Sequence, residues 1–247
     1  MLVLGAGFVS GPLLRYFLDR PDVEVRIADV EAEKAKALVG DHPRGHALAL
    51  DLNNEEALTK EISSADIVVS LVPHTFHPLV AQFCVAFGKN MVTASYLSDA
   101  IRALDSAARR AGIIILNEVG LDPGMDHMEA MRIIHDVKYQ GGKILAFTSF
   151  CGGLPAPEAN TNPFGYKFSW SPRGVLLASK NAARYLKEGK EVFMPAEDLF
   201  SRTATVSIKE LGVFEGYPNR NSLPYIKLYG IPETQTMFRG TLRYPGW

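Results

Sequence analysis

The chain has 247 residues, 26 lysines and arginines against 27 aspartates and glutamates, and a hydrophobic content of 47%. A charged fraction of 21% with a net charge of −1 excludes a disordered chain and removes the positive excess of a nucleic-acid binder. The longest apolar runs, around 67–72, stop far short of the ~20 residues that span a bilayer, so neither nucleic acid nor a membrane is an expected partner. At roughly 150 residues per domain, the length suits one large domain or two small ones.

Met1 runs straight into Leu2-Val3-Leu4 with no basic region before it, so no secretory or organellar leader is visible. Cys84 and Cys151 form neither a disulfide framework nor a metal knuckle; they read as small buried residues of a reducing compartment.

In chain order, short β-branched runs at 2–5, 23–28, 46–50, 67–72, 91–93 and 113–116 predict strands. Amphipathic stretches at 12–19, 55–63, 78–88 and 100–111 predict helices between them. The alternation predicts an α/β fold: a doubly wound parallel Rossmann sheet over 1–117. The rhythm then changes, with a helix pattern over 125–139, a strand over 144–150 and a Gly/Pro/Asn-rich stretch over 151–165 that reads as a binding loop or an interdomain crossing. A second, α+β domain is therefore expected over 118–247. It reads as unfinished, because the chain stops at Tyr244-Pro245-Gly246-Trp247 after a strand-like segment without a closing helix.

The first strand leads into Gly5-Ala6-Gly7-Phe8-Val9-Ser10. Gly5 permits a tight turn, and Gly7 lets the backbone approach a pyrophosphate at the following helix N-terminus. The third small position is Ser10 rather than glycine. Asp29 ends the second strand at the distance where an acid meets the adenosine ribose, which favours NAD over NADP; Arg26 is expected to point elsewhere. The carboxyl ends of later strands place Ser70-Leu71-Val72-Pro73 and Thr93-Ala94-Ser95-Tyr96 beside the nicotinamide half.

His74 and His77 follow the first of these edges without a third metal ligand of matching spacing, so no metal is expected and the pair is read as capping or supporting. In Asn117-Glu118-Val119-Gly120-Leu121-Asp122-Pro123-Gly124, Asp122 is the better functional candidate. A turn role before Pro123 is its alternative. Asp126 reads as a helix-dipole residue and His127 as a packed one. Tyr139-Gln140-Gly141-Gly142-Lys143 imitates a Tyr-x-x-x-Lys dehydrogenase pair, but adjacent glycines are unfavourable inside the helix that such a pair requires. Aromatic and cationic residues alternate with glycine and proline in Tyr217-Pro218-Asn219-Arg220 and Arg239-Gly240-Thr241-Leu242-Arg243-Tyr244, a mixture suited to a small polycarboxylate.

Gly120-Leu121-Asp122-Pro123-Gly124, the segment from Cys151 to Pro157 and that from Arg239 to Tyr244 together resemble the saccharopine dehydrogenase family of the glutamate-forming type. Met91 to Tyr96 is most similar to the corresponding domain of bifunctional aminoadipic semialdehyde synthases. The resemblance implies oxidation of saccharopine, with NAD or NADP and water, to L-glutamate and α-aminoadipate δ-semialdehyde, or the reverse reaction. It places the cofactor on Gly5, Gly7, Phe8, Val9, Ser10, Asp29, Leu71 and Ala94. It places substrate on Ser95, Tyr96, Asp122, Arg220, Thr241, Leu242 and Arg243, with Asp122 as the catalytic candidate for orientation and proton relay. Val30 stands where an NADP-preferring member would carry Arg. The resemblance also implies further chain beyond the last strand, a cytoplasmic location or the mitochondrial matrix for a bifunctional polypeptide, and leaves homo-oligomerisation open. The alternatives are a carboxynorspermidine or homospermidine-type reductase and a non-catalytic dinucleotide-binding chain.

Overall fold

The computed structural model describes residues 1–178 and 180–247. They divide into two compact units, Met1–Met125 and Asp126–Trp247. The segment 118–125, assigned to the second domain by the change of sequence rhythm, thus groups with the first unit.

In the first unit, strands β1 (Leu2–Leu4), β2 (Val25–Asp29), β3 (Gly45–Ala49), β4 (Ile67–Ser70), β5 (Asn90–Val92) and β6 (Ile115–Leu116) form one parallel sheet in the order β3-β2-β1-β4-β5-β6. The order reverses at β1 and β4, the switch point outside which ligands bind in doubly wound folds. Side chains alternate across the sheet: Leu2 and Leu4 pack with Leu58, Ile62 and Met91 on one face, while Val3 joins Leu14, Val25 and Ile27 on the other.

The crossovers are α1 (Ser10–Leu18), α2 (Ala32–Val39), α3 (Glu55–Ser63), α4 (His77–Ala86), α5 (Asp99–Arg102) and α6 (Asp105–Ala111). α2 lies in a crossover for which the sequence marks no definite helical stretch, and the single helix expected over 100–111 is two short ones. Side-chain caps set two of the starts: Asn54 accepts from the Ala57 amide at 3.1 Å and Ser98 from that of Ile101 at 3.3 Å.

The second unit takes in all but the first residue of α7 (Met125–Tyr139), followed by β7 (Ala146–Cys151), α8 (Pro172–Ala178), β8 (Ala183–Lys187), β9 (Lys190–Met194), β10 (Ala204–Ile208), β11 (Gly212–Pro218), α9 (Pro224–Leu228) and β12 (Thr236–Arg243). β12 is the centre of the sheet. Residues 236–241 pair in parallel with β7 along one edge; on the other, Met237 meets Leu186 of β8 and residues 240–243 meet β11, both antiparallel. α7 and α9 cover this sheet through Ile134, Tyr229, Ile231 and Met237. Tyr139 ends its helix and lies fully in solvent, so the Tyr-x-x-x-Lys imitation is spread across a turn. Among the described residues, no helix is long and apolar enough to cross a membrane, and no three His, Cys, Asp or Glu side chains group as a metal site.

Candidate functional site

β1 ends at Leu4, and Gly5 turns the chain with φ of +102°. A Cβ there would stand 2.9 Å from the Leu71 carbonyl oxygen, so the first turn and the end of β4 are in backbone contact. Ser10 is buried and its hydroxyl donates to the Gly5 carbonyl at 2.7 Å, which closes the turn from inside. Gly7, Phe8 and Val9 are exposed, and a Cβ on Gly7 would meet open space. No side chain caps α1 at Val9. An exposed, flat backbone at an uncapped helix N-terminus is a cradle for a phosphate.

Asp29 at the end of β2 is half-buried. One carboxylate oxygen accepts from the Ala6 amide at 2.8 Å and the other from the Glu31 amide at 2.9 Å. The carboxylate is thereby held beside the glycine turn, and each oxygen keeps a second lone pair for a ribose hydroxyl. Arg26 turns to α3, where it meets the Glu61 carboxylate at 2.6 Å, and Val30 is exposed. Leu71 and Ala94 line one apolar cavity of about 270 Å³, with Leu13, Val92 and Val119 among its walls.

The edge after β5 is tied to the turn after β6. The Glu118 amide donates to the Ser95 carbonyl at 3.0 Å, and the Tyr96 hydroxyl donates to the Asp122 carboxylate at 2.8 Å. Asp122 precedes a cis bond to Pro123, and the turn is closed by the Gly120 amide on the Pro123 carbonyl at 2.9 Å. Here Gly124 has no substitute, since a Cβ would lie 2.1 Å from the Gly120 carbonyl oxygen.

His77, expected to cap or support, is the first residue of α4. Its ring is buried, with Nδ1 2.8 Å from the Ser70 hydroxyl and Nε2 2.7 Å from that of Ser95. Burial, with a smaller electrostatic influence of nearby His74 in the same direction, pushes its pKa down to about 4. Cys84 is buried as expected, and burial pushes its thiol up to about 12.

In the second unit, Arg243 is 6% exposed. Its guanidinium lies 4.7 Å from the ring centre of Trp247, 4.9 Å from that of Tyr166 and 5.9 Å from that of Tyr217. One of its nitrogens donates to the Leu242 carbonyl at 2.9 Å. Its Nε, the Tyr166 hydroxyl and the Asn160 side-chain Oδ1 are buried without a hydrogen-bond partner among the described residues. Tyr217 is pushed up by burial, opposed by the charge of Arg243 and a hydrogen bond with Thr241. Leu242 is buried beside them, and Arg220 is exposed at the turn after β11, with φ of +54°.

Arg239, four residues before Arg243, is different. It is buried on the Asp126 carboxylate at 2.7 Å with its guanidinium over Tyr225. Asp126 therefore pairs with a buried arginine and does more than complement a helix dipole. His127 packs as expected, against Tyr225 and on the Tyr229 hydroxyl at 2.7 Å.

A family model described as the saccharopine dehydrogenase C-terminal domain matches residues 120–247, and one described as the saccharopine dehydrogenase NADP binding domain matches residues 1–116. The chain belongs to the saccharopine dehydrogenase family. The Schizosaccharomyces pombe protein named saccharopine dehydrogenase [NADP(+), L-glutamate-forming] is 44% identical across 100% of this chain and 55% of its own. The mitochondrial alpha-aminoadipic semialdehyde synthase of Bos taurus is 43% identical across 100% of this chain and 27% of its own. The solved structure of the apo L-Glu-forming saccharopine dehydrogenase from Saccharomyces cerevisiae superposes with a TM-score of 0.91 at 44% identity, over 99% of this chain and 55% of that one. The chain thus spans about half the length of the saccharopine dehydrogenases it matches.

Proposed function

We propose that this family member binds a nicotinamide dinucleotide in its first unit and oxidises saccharopine to L-glutamate and α-aminoadipate δ-semialdehyde, or runs the reverse reaction. Arg243 carries the substrate class. A guanidinium this buried is costly without an anion, and among the described residues no carboxylate pairs with it. A substrate bearing three carboxylates supplies that anion, and the exposed Arg220 offers a second fork. The ammonium groups of a polyamine substrate would be repelled by both, which disfavours the carboxynorspermidine and homospermidine reading.

The bound dinucleotide would supply the hydride acceptor. The exposed backbone from Gly5 to Val9 and the uncapped start of α1, with buried Ser10 shaping the turn, suit its pyrophosphate, and Asp29 suits a ribose; Leu71 and Ala94 give an apolar wall. The NADP binding domain family that matches the first unit and the fungal relatives, named as NADP(+) enzymes, support NADP. The preference for NAD drawn from Asp29 has no support from those names and rests on electrostatics alone: a carboxylate held at the ribose repels a 2′-phosphate, and neither Arg26 nor Val30 compensates it.

The substrate's secondary amine must lose a proton before hydride can leave the neighbouring carbon. In this reading Ser95 and Tyr96 orient substrate, and Asp122, held by the Tyr96 hydroxyl, is the catalytic candidate that takes or relays that proton. Thr241 and Leu242 would join Arg243 in binding substrate. The location is cytoplasmic for a single-function enzyme and the mitochondrial matrix for a domain of a bifunctional one.

The test is saccharopine-dependent reduction of NAD and of NADP by this chain, followed by nicotinamide absorbance, beside the dissociation constant of each dinucleotide. Turnover supports the reading, and tighter binding of NAD supports the role of Asp29. Dinucleotide binding without turnover makes this a non-catalytic chain.

A further inference from the structure

A buried chain of side chains crosses the carboxyl edge of the first sheet. It runs from Ser70, the last residue of β4, through both ring nitrogens of His77, the first residue of α4, to Ser95 beyond β5. Thr93 flanks it, with its hydroxyl 3.4 Å from His77 Nε2 and 3.3 Å from the Ser95 amide, which donates to it. Ser70, His77 and Thr93 are all buried, whereas Ser95 is half-buried and so is the member that meets a ligand.

We propose that His77 is a positioning residue: its Nε2–H holds the Ser95 oxygen and so turns the Ser95 hydroxyl hydrogen outward, as a donor to a carboxylate-bearing substrate. The inference deepens the reading of Ser95 as a substrate contact and rests on it. A neutral imidazole has one N–H and one lone pair. With a hydroxyl against each nitrogen, one serine must donate to the ring and the other accept from it. If Nδ1 takes the Ser70 proton, Nε2 donates and Ser95 is left with its own hydrogen to give. In the other tautomer Ser95 spends its hydrogen on the ring and offers only lone pairs, which suit an ammonium group and not a carboxylate.

Burial keeps the ring neutral, so the relation holds across the working range of pH. The ring also ties the ends of β4 and β5 together, and Leu71 and Ala94, the two apolar walls, are the neighbours of the serines it holds.

Three variants and one spectrum test this. His77→Gln keeps an amide donor at the place of Nε2, His77→Asn keeps only the contact at the place of Nδ1, and Ser95→Ala removes the positioned hydroxyl. Ser95→Ala and His77→Asn should each raise the saccharopine KM by about tenfold, the loss of one charge-assisted hydrogen bond. The double variant should be no worse than either single one, and His77→Gln should recover most of the loss. The dinucleotide dissociation constant of Ser95→Ala should stay within about twofold. Multiplying effects in the double variant, or a Gln variant as impaired as the Asn variant, overturns the proposal. An unchanged KM in Ser95→Ala overturns it together with the reading of Ser95.

The readout free of turnover is the ¹⁵N spectrum of the His77 ring in the unliganded chain. Protonation at Nε2 is expected, and protonation at Nδ1 or a mixture of tautomers refutes the inference. If the chain does not turn over saccharopine, the functional reading fails and the spectrum alone decides the role of His77.

Discussion

The depressed titration of His77 makes the first unit sensitive to acid, in a window that can be worked out. In the unfolded chain the imidazole titrates at 6.5, and in the fold at about 4. Above 6.5 both states are neutral and the residue contributes no pH dependence. Between 6.5 and about 4 the unfolded chain binds a proton that the folded one does not, so stability falls as pH falls; below 4 both are charged and the slope vanishes. At 1.36 kcal/mol per pH unit, the window corresponds to roughly 3 kcal/mol, a large share of what holds a domain this size together. The ring is only 2% exposed, so solvent screening does not reduce the figure much.

The perturbation is His77→Gln, which keeps hydrogen-bonding capacity and has no proton to bind. Both tryptophans, Trp170 and Trp247, belong to the second unit, so fluorescence follows that unit alone. Amide hydrogen exchange of peptides from β1, β4 and β5 follows the first. Between pH 7.5 and 4.5, which covers two of the 2.5 units of the window, these peptides should lose about 2.5 kcal/mol more protection in the parent chain than in the variant, after correction for intrinsic exchange. The fluorescence transition should respond equally in both. Parallel pH slopes for the peptides in the two proteins would refute the argument, whatever their absolute stabilities.

Gly5→Ala combines a left-handed φ of +102° with a Cβ 2.9 Å from the Leu71 carbonyl oxygen; it should cost about 2 kcal/mol or more in exchange protection and abolish dinucleotide binding measured by calorimetry. Ile62→Ala removes a side chain with no exposed surface from one core layer and should lower the stability of the first unit by about 2–5 kcal/mol, read from urea dependence of amide exchange in β1 and β4 peptides. Arg243→Met exchanges a buried charge without an acid partner for an apolar side chain, so the unfolding midpoint of the free protein should hold or rise while saccharopine binding falls by at least about tenfold. A loss of 3–5 kcal/mol instead would mean that the guanidinium is paired in the folded protein.

What could be read in advance follows from where the information lies. The six strands of the first unit were legible because sheets buried on both faces are written as short, nearly continuous apolar runs, and Leu2-Val3-Leu4 shows the pattern within three residues. The glycine turn and Asp29 were legible because their partners lie within one βαβ unit. α2 escaped because its face is only Ala35 and Val39 among glutamates, lysines and alanines, and no glycine or proline marks the break between α5 and α6. In the second unit, β8 and β9 were missed although Glu188-Gly189 between them supplies two positive φ angles, the mark of a tight hairpin. Their lysines and exposed positions hide any strand pattern.

The two arginines of β12 show where sequence reading ends. Both stand on the same strand, in one motif, with aromatic neighbours, and by residue type they are equivalent. Arg239 is satisfied by Asp126, which lies 113 positions away and was read as a dipole residue. Arg243 meets three aromatic rings and one carbonyl. The first is an ion pair that holds α7 to the sheet; the second is a charge that the fold buries and leaves for something else to neutralise. Only the long-range pairing separates them, and it is that pairing which turns a motif of arginines into a prediction of a carboxylate at one and not at the other.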